Sequence, residues 1–360
     1  MYSESDLEAA VAAGALTPDA AASLRNYVAG ARATPAVDEE HFRLLTGFND
    51  IFVGIAAVLL LVAVAWIGNS IPPNIGGDGP SPFAGLFVAG AAWALAEFFT
   101  RKRRMALPSI ILLLAFVGGI AEASAMSLVA LVGESRLEDN ERLAAILGAA
   151  SAALAAGGAW LHWRRFRVPI TIAAGAAAVV GVVLALIAFA VGETPRMEQI
   201  MLGFALALGI GVFLFAMWWD SSDPRRETRR SDVAFWLHLL AAPLIVHPVF
   251  ALLGLTDGTA NLLEAIVVLL VYVVLGLTAL AIDRRALLVS ALAYVLYALN
   301  SLFERYGAVE LSVALTALVI GSALLLLSAF WHCARRSVVQ PLPANLTAKL
   351  PVTDRAIAAA

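Results

Sequence analysis

Charge is scarce in this chain of 360 residues. Asp, Glu, Lys and Arg make up 14% of it and hydrophobic residues 61%, where soluble domains carry about 25% and about 45–50%. That shortage excludes a water-soluble protein built on one or two cores. Cysteine is scarcer still: Cys333 stands alone, which excludes an intramolecular disulfide and a cysteine-cluster metal site. The formal net charge of −3 provides no global basic field, so nucleic acid is not an expected partner. The opening Met1-Tyr2-Ser3-Glu4-Ser5-Asp6 lacks the cationic and apolar regions of a signal peptide, and no cleavage is expected. Missing too are a Walker loop, His-Glu-x-x-His and Gly-x-Ser-x-Gly. The loop Gly76-Gly77-Asp78-Gly79 is too short, and on the wrong side, to cradle a cytosolic nucleotide. Neither an enzyme activity nor a cofactor is expected.

What the chain has instead is long apolar runs. A spanning helix needs about 20 mostly apolar residues, and ten stretches qualify: 50–68, 83–100, 105–132, 143–161, 168–191, 199–219, 233–255, 262–282, 286–303 and 311–331. Caps are read at Ser81-Pro82, Thr194-Pro195, Ser231-Asp232 and Asn261 with Glu264. Ten helices put both termini on one side. Four alternate connections hold thirteen Lys and Arg: 101–104, then Arg164, Arg165 and Arg167, then Arg225, Arg226, Arg229 and Arg230, then Arg284 and Arg285. The five opposite connections hold four, Arg136, Arg142, Arg196 and Arg305. By the positive-inside rule both termini are cytoplasmic. The expected fold is therefore an all-α polytopic transmembrane bundle of about ten spans, with a small helical head.

That head, residues 1–47, is acidic. Eight carboxylates from Glu4 to Asp50 face three arginines, Arg25, Arg32 and Arg43, the wrong sign for a DNA-reading helical motif. Leu7 and Val11, and again Leu24 and Val28, repeat at helical spacing. Gly14 suits a helix end, and Thr17-Pro18 a helix start. The reading is a cytoplasmic helical hairpin that packs on the membrane domain or on a copy of itself, which makes a homo-oligomer one expected partner. The membrane domain spans 48–332 and a cytoplasmic tail 333–360. Ala and Gly dominate 143–161, as close helix packing in lipid requires.

Few ionisable groups remain inside the runs, and each one costs about 2.5–3.5 kcal/mol on insertion scales. Glu97 can pair with the Arg101 cluster, and Glu264 can cap its own helix. By the helical rise Glu122 lies about 25 Å up the third run, while His247 and Asn300 lie about 21 Å up the seventh and ninth. If their helices are neighbours, the three share one outward-opening polar pocket suited to proton or cation exchange, since histidine titrates near neutral pH. Otherwise they are an interfacial acid, a backbone-bonded imidazole and an interhelical amide. Pro243 and Pro248 free the carbonyls of Leu239 and Leu244, so the seventh run reads as a broken helix of the kind that lines transporter sites.

Leu7 to Thr17, followed by a first span ending Trp66-Ile67-Gly68-Asn69, resembles bacterial multi-pass membrane proteins of unknown function. The segments Ser231 to His238, Asp283 to Leu287 and the tail from Trp331 to Pro343 are similar in kind. The resemblance implies a bacterial inner-membrane location and brings no activity or site. Two functions fit these features. One is a permease or exchanger for a small solute or proton in the lipid bilayer, and the other is a non-catalytic scaffold or sensor acting through the head.

Overall fold

The computed structural model of the chain describes residues 4–31, 48–77, 79–224, 226, 228–254, 262–305, 312–347 and 349–351. Every element among them is helical. The chain divides into two units, 1–43 with 354–360, and 44–353.

In the first unit α1 (Glu4–Ala12) ends shortly before Gly14 and α2 (Pro18–Ala31) starts at Pro18, the helix end and helix start that the sequence marks. Gly14 takes a φ of +71°, the left-handed conformation in which helices commonly terminate. The hydroxyl of Thr17 accepts the Ala20 N–H at 3.2 Å, and Pro18, which has no N–H to leave orphaned, comes first in α2. Leu7 and Ala21 are buried. Residues 1–3 and 32–47 of the expected head lie outside the described residues.

The second unit runs α3 (Phe48–Asn69), α4 (Pro82–Ala96), α5 (Ala106–Val132), α6 (Glu134–Glu138), α7 (Glu141–Phe166), α8 (Ile170–Val191), α9 (Met197–Ser221) and α10 (Arg229–Leu252). It continues with α11 (Leu262–Ile282), α12 (Ala286–Arg305), α13 (Ser312–Ala329), α14 (Trp331–Val339) and α15 (Ala344–Thr347). After α4 comes one turn of π-helix, Glu97–Lys102. Seven of these helices, α3, α4 with its π turn, α5, α7, α8, α9 and α10, are long and apolar enough to cross a membrane. The pair α13 and α14, bent by 74°, would make eight. On the same criterion α11 and α12, where the eighth and ninth of the ten expected spans fall, show shorter apolar stretches, Ile266–Ile282 and Leu287–Leu296.

Two expected caps sit elsewhere. The N-cap of α9 is Arg196 and not Thr194, with no side-chain bond. The cap of α10 is Thr228 and not Ser231: its hydroxyl accepts the Arg230 N–H at 3.2 Å. Asp223 explains the choice, because its Oδ2 takes both the N–H and the hydroxyl of Thr228, at 2.9 and 2.7 Å, and so pins that residue in capping position. The Ser81 cap is as expected, its hydroxyl accepting from Phe83 N–H and donating to the Ile71 carbonyl at 2.6 Å. Asn261 and the side chain of Glu264 lie outside the described residues.

Consecutive helices pack as hairpins, α4 on α5, α7 on α8, α9 on α10 and α11 on α12. Each hairpin closes on one of the four basic turns. In each of these turns one residue other than glycine is left-handed: Arg104 (φ 53°), Arg167 (56°), Arg226 (52°) and Asp283 (57°). At the opposite helix ends the positive φ falls on glycine, at Gly133, Gly192 and Gly254. Between hairpins, small residues and hydroxyls do the joining. Ser124 on α5 meets Ser151 on α7 at 2.8 Å, and Ser151 also donates to the Ala121 carbonyl at 2.8 Å. His162 on α7 is fully buried, with Nδ1 3.3 Å from Thr171 Oγ1 on α8 and its ring against Trp93, Phe116 and Phe166.

Candidate functional site

Glu122 stands where α4 and α5 cross backbone to backbone. A Cβ on Gly119 would fall 2.7 Å from the Gly85 carbonyl oxygen, and one on Gly85 would fall 2.4 Å from the Gly119 carbonyl oxygen and 1.9 Å from Glu122 Oε2. The two glycines thus let the helices touch, and the Glu122 carboxylate folds down into the space that a side chain at position 85 would fill. It lines a cavity of about 380 Å³ whose other walls are mostly apolar and come from α3 to α5, among them Trp66, Asn69, Pro80 and Gly118. Both carboxylate oxygens are shielded, and among the described residues no side chain bonds to either; the nearest polar group is the Gly85 backbone.

The other two expected residues are not in that cavity. His247 on α10 pairs with Tyr294 on α12, Nδ1 to hydroxyl 2.7 Å, and Asn300 is half-buried on α12. The carboxylate therefore lies among α3, α4 and α5, and the imidazole between α10 and α12.

Pro243 and Pro248 do not interrupt α10, which continues through both from Arg229 to Leu252. The expectation of a break at these prolines is corrected by what lies opposite. A Cβ on Gly209 of α9 would sit 2.8 Å from the carbonyl carbon and oxygen of Leu244, and Leu244 is the residue whose carbonyl Pro248 deprives of its helical partner. The bare carbonyl abuts the Gly209 backbone, a close approach that weak Cα–H···O contacts at helix interfaces exploit.

The densest chemistry is a buried network that the sequence reading passed over. It joins the α9–α10 turn, the α11–α12 turn and α14. Asp220 (1% exposed) accepts two bonds from Arg284 (2% exposed), at 2.6 and 3.2 Å, and lies 3.3 Å from His238 Nε2. Arg284 also donates to the Ser231 carbonyl at 3.1 Å. Asp283 accepts from Arg226 at 2.9 Å and from the Trp331 indole at 2.7 Å, with Arg335 Nε 3.8 Å away. Arg226 donates to the backbone carbonyls of Ile282 and Asp283 as well, while Arg335 reaches the Pro351 carbonyl at 2.6 Å. Burial, and Arg284 close by, lower the pKa of the Arg226 guanidinium from its ordinary value, with Asp283 opposing them. Charges taken this far from water are tolerated only when paired and hydrogen-bonded, and here Arg284 is bonded to Asp220 and Arg226 to Asp283, with Arg335 beside the second pair. The signal was available in the sequence: Asp223 and Asp283 stand inside, and Asp220 just before, turns that a tally of Lys and Arg alone treats as uniformly basic.

What is established is that every element among the described residues is helical, with apolar helices compatible with a multi-pass membrane protein. The chain matches no known protein family, no curated protein and no solved structure.

Proposed function

We propose that this chain is a permease or exchanger for a small solute or ion, seated in the bacterial inner membrane with ten spans and both termini cytoplasmic. The count of ten takes α11 and α12 as spans beside the seven long apolar helices and the α13–α14 pair. The orientation rests on the thirteen-to-four division of Lys and Arg between alternate connections.

One observation carries the reading: Glu122, a carboxylate within a spanning helix, lines a cavity and, among the described residues, has no side-chain or ionic partner. A charge there is costly in lipid, and a proton or small cation drawn from the cavity neutralises it. Taking up such an ion and giving it back is the elementary step of an exchanger. The full chain in liposomes, with a pH-sensitive dye inside and an imposed Na⁺ or K⁺ gradient, should move protons, and Glu122→Gln should abolish the signal. No proton movement with either cation, or movement unchanged in the variant, overturns the reading. The second reading, a scaffold or sensor acting through the head, draws support for its scaffold part from the buried network, whose ion pairs brace two turns and α14 as one block.

A further inference from the structure

The first two basic turns form one surface. Glu97, in the π turn after α4, accepts from Arg165 at the end of α7 through two bonds of 2.6 and 2.9 Å, and from Arg101 at 3.2 Å. Behind this link Phe166 packs edge-on against Trp93 at 5.0 Å, so the ends of α4 and α7 are held side by side. Among the described residues Glu97 is the only carboxylate paired with any cation of these turns. Lys102, Arg103, Arg104, Arg164 and Arg167 are exposed, and no acid among the described residues pairs with them.

Their guanidinium groups are also placed at a particular depth. Arg164 lies over the Trp160 ring at 4.9 Å, Arg167 over Trp163 at 5.5 Å and Arg103 over Phe98 at 5.5 Å. Trp160 and Phe98 are themselves exposed large apolar side chains on spanning helices, and tryptophan at a span end marks the level of lipid headgroups. Of these exposed cations three arginines are stacked on rings at that level, and the arginines present forked donors that match phosphate oxygens.

We infer that these two turns form a binding surface for the phosphodiester headgroups of anionic phospholipids. The inference depends only on the patch lying at a membrane surface, and not on which side that is or on any transport activity. Its occupant is a lipid rather than free phosphate because the cations sit beside exposed apolar rings, where an acyl chain continues the contact.

The test uses the full chain in neutral detergent and reads the rise in melting temperature on adding dioleoylphosphatidylglycerol, dioleoylphosphatidylcholine or inorganic phosphate. The anionic lipid should stabilise the protein and the other two should not. In Lys102→Gln/Arg104→Asn/Arg167→Asn, where asparagine keeps the left-handed backbone accessible, the apparent affinity should fall on the order of tenfold or more. The charge-matched control Arg229→Gln/Arg230→Gln/Arg285→Gln should retain it. Equal stabilisation by phosphatidylcholine, a match by inorganic phosphate, retention in the patch variant or an equal loss in the control would each overturn the assignment. Should the patch variant not fold, the wild-type protein still decides: stabilisation by the anionic lipid must weaken as salt rises, and a salt-independent effect sinks the proposal.

Discussion

The first two basic turns and the last two contain the same kind of residue and treat it in opposite ways. Around Arg104 and Arg167 the cations are exposed, and no acid occurs between Phe98 and Met105 or between His162 and Pro169. In the last two turns Arg226 and Arg284 are buried, with side chains 4% and 2% exposed, and each is bound to an aspartate from a different helix or turn, while Arg229, Arg230 and Arg285 stay exposed. A cationic tally sees four equivalent signals. Physically the first pair presents its charge to whatever lies at the membrane surface, whereas the second has turned one arginine of each turn inward to hold helices together. Aspartates at or beside the last two turns, Asp220 and Asp283, are what separate the two.

Breaking the buried side of this contrast should have the largest effect. Arg284→Ala leaves Asp220 buried without its two-bond partner, and a loss of roughly 3–5 kcal/mol is expected, read as a collapse of the melting temperature in detergent or as failure to fold. A variant melting with the wild type would show that the network is not structural. The left-handed turn residues sharpen the contrast at an intermediate scale. Glycine relieves a backbone cost of about 1–2 kcal/mol for a left-handed L-residue, partly offset by its greater freedom when unfolded. Arg104→Gly should therefore melt at or slightly above the wild type. Arg226→Gly, at the corresponding place in the third turn, forfeits the Asp283 ion pair and two carbonyl bonds and should melt well below it. Equal shifts in the two variants would erase the distinction. The smallest effect belongs to Arg165→Ala, which removes an exposed pair to Glu97 and should leave the melting temperature unmoved.

Most helix positions were legible because their signal is local. Ser81, Thr17 and Gly14 act within a few residues of the ends they define, and the apolar runs between them need no partner to be recognised. Where the reading failed, a distant residue had decided the outcome. Thr228 displaces Ser231 as the cap of α10 because Asp223 grips it. The helix passes Pro248 unbroken where Gly209 of α9 lies against the carbonyl left bare. The Asp220–Arg284 and Asp283–Arg226 pairs join positions 64 and 57 apart in the chain, a separation at which composition and periodicity are silent. Of the candidate site, Glu122 could be picked out as a costly acid within a span. Its seat against Gly85 could not, because Gly85 read as one small residue among many.

The bend after α13 has a practical side. Because the chain turns by 74° there, α14 leaves the line of the preceding helix and rests on the charged block through Trp331 and Arg335, while Cys333 between them stays exposed. The only thiol in the protein thus sits two residues from each anchor. A dye attached to it needs no engineered cysteine and reports directly on whether that helix remains seated when the block beneath it is disturbed.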